Sequence, residues 1–140
     1  MTARQYLLDT NVLSETRRHR PHERVLAFLA EAEPTSLFVS VLTLGELRKG
    51  VAARRKSDPE LAHRLAAWVD GLESSYTDRL LGVDAAIARL WGEWSAERPR
   101  TVVDTLLAAT AAVHDLILVT RNTGDVAGLP VQVLNPWSFD

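Results

Sequence analysis

Four acids stand where a carboxylate could do chemistry: Asp9, Glu46, Asp104 and Asp125. Asp9 closes the apolar run Tyr6-Leu7-Leu8, and Thr10 and Asn11 follow it at once. Glu46 lies one turn inside an expected helix, and Asp104 in the first turn of another. Asp125 follows the run Leu116-Ile117-Leu118-Val119-Thr120, in a polar turn that also holds Asn122. If such acids converge at ~4 Å, each pair repels by on the order of 4 kcal/mol at an effective dielectric near 20. A cation must offset this, or one acid must take up a proton. An all-oxygen donor set without His or Cys favours Mg²⁺ or Mn²⁺ over zinc. Such an ion can activate water and steady the charge on a phosphate, which is the chemistry of phosphodiester hydrolysis.

The neighbours of two acids leave space for a ligand. On a helix Glu46 shares a face with Leu42, Lys49, Gly50 and Ala53, and Gly45 and Gly50 flank it. Asp104 shares a face with Leu107, Ala108 and Ala111. Each acid also has a simpler reading. Asp9 could cap a short helix. Asp104 completes Thr101-x-x-Asp104, a capping-box pattern. Glu46 could pair with Arg48 or Lys49, and Asp125 could be a turn residue after Gly124. Four acids at topologically consistent places argue for the shared role.

The elements that must position these acids can be read from apolar periodicity. Strands are expected over residues 6–9, 37–40, 79–83, 116–120 and 131–134, the third being the weakest. Helices are expected over 11–15, 21–32, 41–53, 59–74, 85–97 and 101–114. Pro21 and Pro59 suit first turns. Ser40, Asp58 and Asp84 suit N-caps. Strands that alternate with helices call for a mostly parallel sheet covered on both faces. In such a sheet the ends of the first and fourth strands, Asp9 and Thr120, fall on one edge. That edge is where open α/β sheets place their ligands.

The bulk composition bounds the rest. The chain of 140 residues is 46% hydrophobic, enough for one domain with a core and too little for two. The absence of cysteine removes disulfides, thiolate catalysis and Cys-ligated metal. No signal-peptide core or spanning segment is visible, so a soluble cytosolic protein is expected. The formal charge is −2, from 16 basic and 18 acidic residues. With four acids neutralised by metal the balance becomes 16 − 14 = +2. Arg17-Arg18-His19-Arg20 and Arg54-Arg55-Lys56 could then face a polyanion, or form solvated basic faces. The four histidines show no metal-ligand spacing, and Trp68, Trp91 and Trp94 sit at core-like helical spacing. No Walker A, G-x-G-x-x-G, G-x-S-x-G or H-E-x-x-H motif occurs. A haloacid-dehalogenase-like phosphatase fits poorly, because Asp9 is not followed by the second Asp which that chemistry needs.

Four blocks in order resemble the PIN-domain family. They are Leu7-Leu8-Asp9-Thr10-Asn11-Val12-Leu13, then Ser40-Val41-Leu42-Thr43-Leu44-Gly45-Glu46-Leu47-Arg48-Lys49-Gly50, then Asp104-Thr105-Leu106-Leu107-Ala108-Ala109-Thr110-Ala111, then Leu118-Val119-Thr120-Arg121-Asn122. The resemblance is nearest to the VapC-type toxins of bacterial toxin–antitoxin pairs, including their FitB-like branch, and spans essentially the whole chain. It implies a single PIN-like α/β domain over residues 1–140, with a mostly parallel sheet of four or five strands flanked by helices. It implies a Mg²⁺-dependent ribonuclease, with Mn²⁺ as substitute, acting in the cytoplasm. Position by position, Asp9, Glu46, Asp104 and Asp125 match the acid quartet, Thr120 a supporting hydroxyl, and Asn11 the amide after the first acid. The family further implies a homodimer, no membrane association, an RNA substrate and a small antitoxin partner.

The leading expectation is therefore a toxin ribonuclease, with Arg48, Lys49 and residues 17–20 guiding RNA. The alternatives are a non-catalytic module whose acidic pocket receives a basic peptide, and a structure-specific DNA nuclease.

Overall fold

The computed structural model describes residues 4–138. Its centre is β1 (Tyr6–Leu8), where Leu7 and Leu8 are wholly buried. Successive strand residues face opposite ways, so Leu7 and Leu8 enter different cores. The same division holds next door in β4 (Ile117–Val119), where Leu118 joins Leu7 and Val119 joins Leu8. A strand with both faces covered must be apolar throughout, as these are.

Five strands form one sheet, parallel as expected, and their order is β3-β2-β1-β4-β5. β2 (Leu37–Ser40) pairs with β1 through Tyr6 and Leu37. β4 pairs on the other side of β1, with Leu8 opposite Val119. The edges are β3 (Leu80–Leu81) and β5 (Val133–Leu134). Both are shorter than the expected 79–83 and 131–134. Thr77–Arg79 is instead a 3-10 turn. An edge strand has a partner on one side only, so pairing ends early.

On one face lie α1 (Thr10–Glu15), α2 (Glu23–Glu31), α3 (Val41–Arg54) and α4 (Pro59–Ser75). Their core includes Val12, Val25, Leu47, Val51 and Val69. The other face carries α5 (Ala85–Glu97) and α6 (Val102–Val113), through Ile87, Trp94, Leu107 and Ala108. Ser40, Asp58 and Asp84 cap α3, α4 and α5 as expected, each accepting a backbone N–H. α2 begins two residues after Pro21, with the His22 ring as its cap. Among the described residues no helix is long and apolar enough to cross a membrane.

Candidate functional site

The sheet order reverses at β1: the chain crosses to β2 and β3 on one side and to β4 and β5 on the other. Crossovers diverge there and leave a crevice at the strands' carboxyl ends. Asp9 stands in it. The chain leaves the ladder at Leu8, one residue earlier than the apolar run suggested, because Asp9 caps α1 instead. It does not leave the sheet entirely, since its N–H still bonds the Val119 carbonyl at 3.0 Å. The cap reading of Asp9 therefore holds, with the residue still tied to the sheet edge.

The Asp9 carboxylate is 5% exposed and held from two sides. Oδ1 accepts the Thr10 N–H at 2.7 Å. Oδ2 accepts the Thr120 hydroxyl at 2.7 Å and, more weakly, the Asn11 amide at 3.4 Å. Thr120, itself 2% exposed, comes from the end of β4, where its N–H bonds Leu134. Its Oγ1 also accepts the Asn122 N–H at 3.0 Å, and Asn11 Oδ1 accepts the Arg121 N–H at 3.4 Å. The ends of β1 and β4 are therefore tied by side chains as well as by the ladder.

Glu46 reaches this edge from the second turn of α3, where it is exposed. It pairs with neither Arg48 nor Lys49; its Oε1 accepts the Thr10 hydroxyl at 2.5 Å. Added Cβ atoms at Gly45 and Gly50 would meet nothing within 4 Å, so the space expected around Glu46 is present. Asp104 lies in the first turn of α6, and its Oδ2 accepts the Thr101 hydroxyl at 2.7 Å. Thr101 is the N-cap residue yet makes no side-chain bond to the helix backbone, so no capping box forms. Each of three acids is thus held by a threonine hydroxyl.

Burial pushes the Asp9 carboxyl above its usual value of 3.8. The bonds from Thr120 and Thr10 work against that rise, and the negative charges of Asp104 and Glu46 add to it. Asp104 and Glu46 therefore act on Asp9 electrostatically. Asp125 does not figure among those influences. It is exposed in the expected polar turn, which takes 3-10 form over Thr123–Val126, and its N–H bonds the Asn122 carbonyl. Among the described residues no three His, Cys, Asp or Glu side chains are gathered as a ready-made ion cage. Carboxylates that repel one another turn onto hydroxyl donors instead. The donor set still suits a hard divalent cation, being all oxygen and centred on an acid whose ionisation its neighbours oppose.

Two basic groups expected to guide a polyanion are otherwise engaged. Arg48 pairs with Asp70 and lies 3.6 Å from Glu73. Arg18 pairs with Glu15 at 3.4 Å. Arg17 lies over the Trp68 ring, 5.6 Å from its centre, while remaining exposed.

Sequence reasoning missed Glu15. Beside two arginines it reads as a surface acid, yet its side chain is 4% exposed just beneath the surface. Burial is the strongest single influence on its carboxyl and raises it. The His22 N–H at 2.8 Å, Arg18 and the Trp137 indole together outweigh burial and hold it below 4.5. The indole N–H itself closes no hydrogen bond. Thr10 was missed as the partner of Glu46, because 36 residues separate them. A cavity of about 710 Å³ between α2 and β5 includes none of the four acids in its lining.

The chain and its fold are similar to those of known proteins. The family model described as PIN domain matches residues 6–127. Toxin FitB of Neisseria gonorrhoeae is 35% identical over 138 residues, covering 94% of this chain and 97% of that protein. A crystal structure of FitAcB from the same organism has a TM-score of 0.88 at 31% identity, covering 96% of this chain and all of that one. VapC ribonuclease Y4jK of Sinorhizobium fredii is 29% identical, covering 94% and 96%. A toxin–antitoxin complex from Klebsiella pneumoniae has a TM-score of 0.69 at 27% identity, covering 96% and 100%.

Proposed function

Because this chain belongs to the PIN domain family, we propose that it is the toxin of a toxin–antitoxin pair, a metal-dependent ribonuclease that hydrolyses RNA phosphodiester bonds. Residues 1–140 are read as one such domain. The observation that carries this reading is the buried Asp9 carboxylate at the β1–β4 edge, opposed by the charges of Glu46 and Asp104. Asp9, Glu46 and Asp104 would hold Mg²⁺, with Mn²⁺ as substitute, and Asp125 would join directly or through water. The ion would neutralise charge on the phosphate and promote attack by water.

The chain's own residues supply the positioning. Thr120 and the Thr10 N–H hold the Asp9 carboxylate in one orientation. Asn11 spans Asp9, Thr120 and the backbone of Arg121, so the first acid cannot shift without disturbing β4. The Thr10 and Thr101 hydroxyls donate to the Glu46 and Asp104 carboxylates and so help to fix their orientation. Such outer partners are worth about 10–100-fold in metal affinity or activity. With RNA as its substrate, the protein would act in the cytoplasm. A small antitoxin is the expected partner, as in the named complex of the Klebsiella relative, and a homodimer the expected assembly.

The experiment pairs growth with cleavage. Wild-type chain should arrest bacterial growth and cleave RNA with Mg²⁺ or Mn²⁺. Asp9→Asn and Asp104→Asn should each lose more than about 100-fold of activity, beyond the range of an outer partner. Thr120→Val should lose about 10–100-fold. Equal growth with and without Asp9→Asn, together with no metal-dependent cleavage, rejects the ribonuclease. Parallel DNA substrates separate a DNA nuclease.

One observation favours a second reading. The three threonine-bound carboxylates form no ready-made cage, which suits a non-catalytic module that receives a basic peptide. Manganese binding lost on Asp104→Asn decides for the enzyme. Partner affinity without metal binding decides for the module.

A further inference from the structure

Arg121 is the second residue beyond the end of β4, directly after Thr120, and it is exposed. Its backbone is fixed by the Asn11 side chain, which also bonds Thr120. Its guanidinium lies 5.2 Å from the centre of the Trp137 ring. A cation within about 6 Å of an indole face is attracted by the ring's quadrupole. Among the described residues no carboxylate pairs with Arg121. This separates it from Arg48 and Arg18, whose charges are already engaged.

Trp137 is itself held in place. Its N–H bonds the Asn135 side chain at 2.9 Å, its ring packs on the core that contains Leu8 and Val119, and its indole influences the buried Glu15 carboxylate. The Arg121 side chain thus rests on a fixed aromatic plate, one residue from the threonine that bonds Asp9. A planar guanidinium over a ring keeps its N–H edge free for a phosphate, and it loses less side-chain entropy on binding than a free-swinging cation.

We infer that Arg121, supported on Trp137, is a positioning residue that grips a phosphate of single-stranded RNA next to the scissile one. The inference rests on the ribonuclease reading, but RNA affinity can test it without any cleavage.

The probe is a short single-stranded RNA, bound to the full-length Asp9→Asn chain across a salt series. Adding Arg121→Ala should remove one phosphate contact. The slope of log affinity against log salt should then become shallower by roughly 0.7. Arg121→Lys should keep the slope while weakening binding, because it keeps the charge and loses the planar contact. In the active chain Arg121→Ala should raise KM by roughly tenfold, about the 1.4 kcal/mol of one charge-assisted hydrogen bond, and lower kcat less. An unchanged slope and KM overturns the inference. So does a fall in kcat alone, a failure of the Asp9→Asn chain to bind the RNA, or a loss of affinity confined to a partner protein. If wild-type chain cleaves nothing while the slope changes as stated, the ribonuclease reading fails and the phosphate contact stands.

Discussion

Asp9 does two things with one carboxylate. One oxygen caps α1 through Thr10 and the other takes the Thr120 hydroxyl, while the charges of Asp104 and Glu46 act on the carboxylate. A side chain held at both oxygens has little freedom, which suits the metal-ligand role proposed for it. Its titration follows. Burial and neighbouring charge raise its folded value above 3.8. The stability it contributes is therefore full below 3.8 and is lost as pH rises through that raised value. In metal-free protein the Asp9 carboxyl should titrate above 3.8 by ¹³C NMR. Added Mg²⁺ should shift it downward and raise the melting temperature more at pH 7 than at pH 4. A metal-free value at or below 3.8 would contradict the electrostatic account.

At the scale of elements, the strands are short and survive by pairing. β3 and β5 each hold two residues, too few to stand without the sheet. Arg79 shows how an edge is secured. Expected as the first residue of a strand, it instead ends a 3-10 turn. Its guanidinium donates to the carbonyls of Pro34, Leu37 and Ser75, and lies 4.7 Å from the Tyr76 ring centre. It thereby clamps the end of α4 to the start of β2. Removing it leaves carbonyls without their charged donor, at a cost of about 1–3 kcal/mol. Arg79→Ala should lower the denaturation midpoint accordingly, with an unchanged m-value if the fold is otherwise kept. Mutation of Arg64, an exposed cation on α4, should do far less.

Across the whole molecule, one sheet separates two cores, and β1 serves both. The site depends on that arrangement, because the strand that carries Leu7 and Leu8 also delivers Asp9. Leu8→Ala should cost about 2–5 kcal/mol, read by urea denaturation, and activity should fall as folded protein is lost. Surviving activity per folded molecule should stay close to wild type. Arg121→Ala has the opposite pattern, with the fold kept and substrate affinity reduced.

The order of strands and helices was legible because apolar runs and caps are local signals. The runs containing Leu7, Leu37 and Leu118 became β1, β2 and β4, and Ser40, Asp58 and Asp84 became caps. The alternation of strand and helix then required the parallel sheet, which also put Asp9 and Thr120 on one edge. Which charges are engaged was not legible. Arg48 was expected to guide RNA or pair with Glu46, but α4 brings Asp70 beside it, and nothing local links Glu15 to Trp137, 122 positions later (137 − 15). Glu46 found Thr10, and Arg121 found Trp137, only through packing. A residue's type and local pattern determine which element it enters and which group it presents. Only tertiary packing decides which distant donor reaches that group and how far water is excluded from it, and those two quantities set its charge and its chemistry.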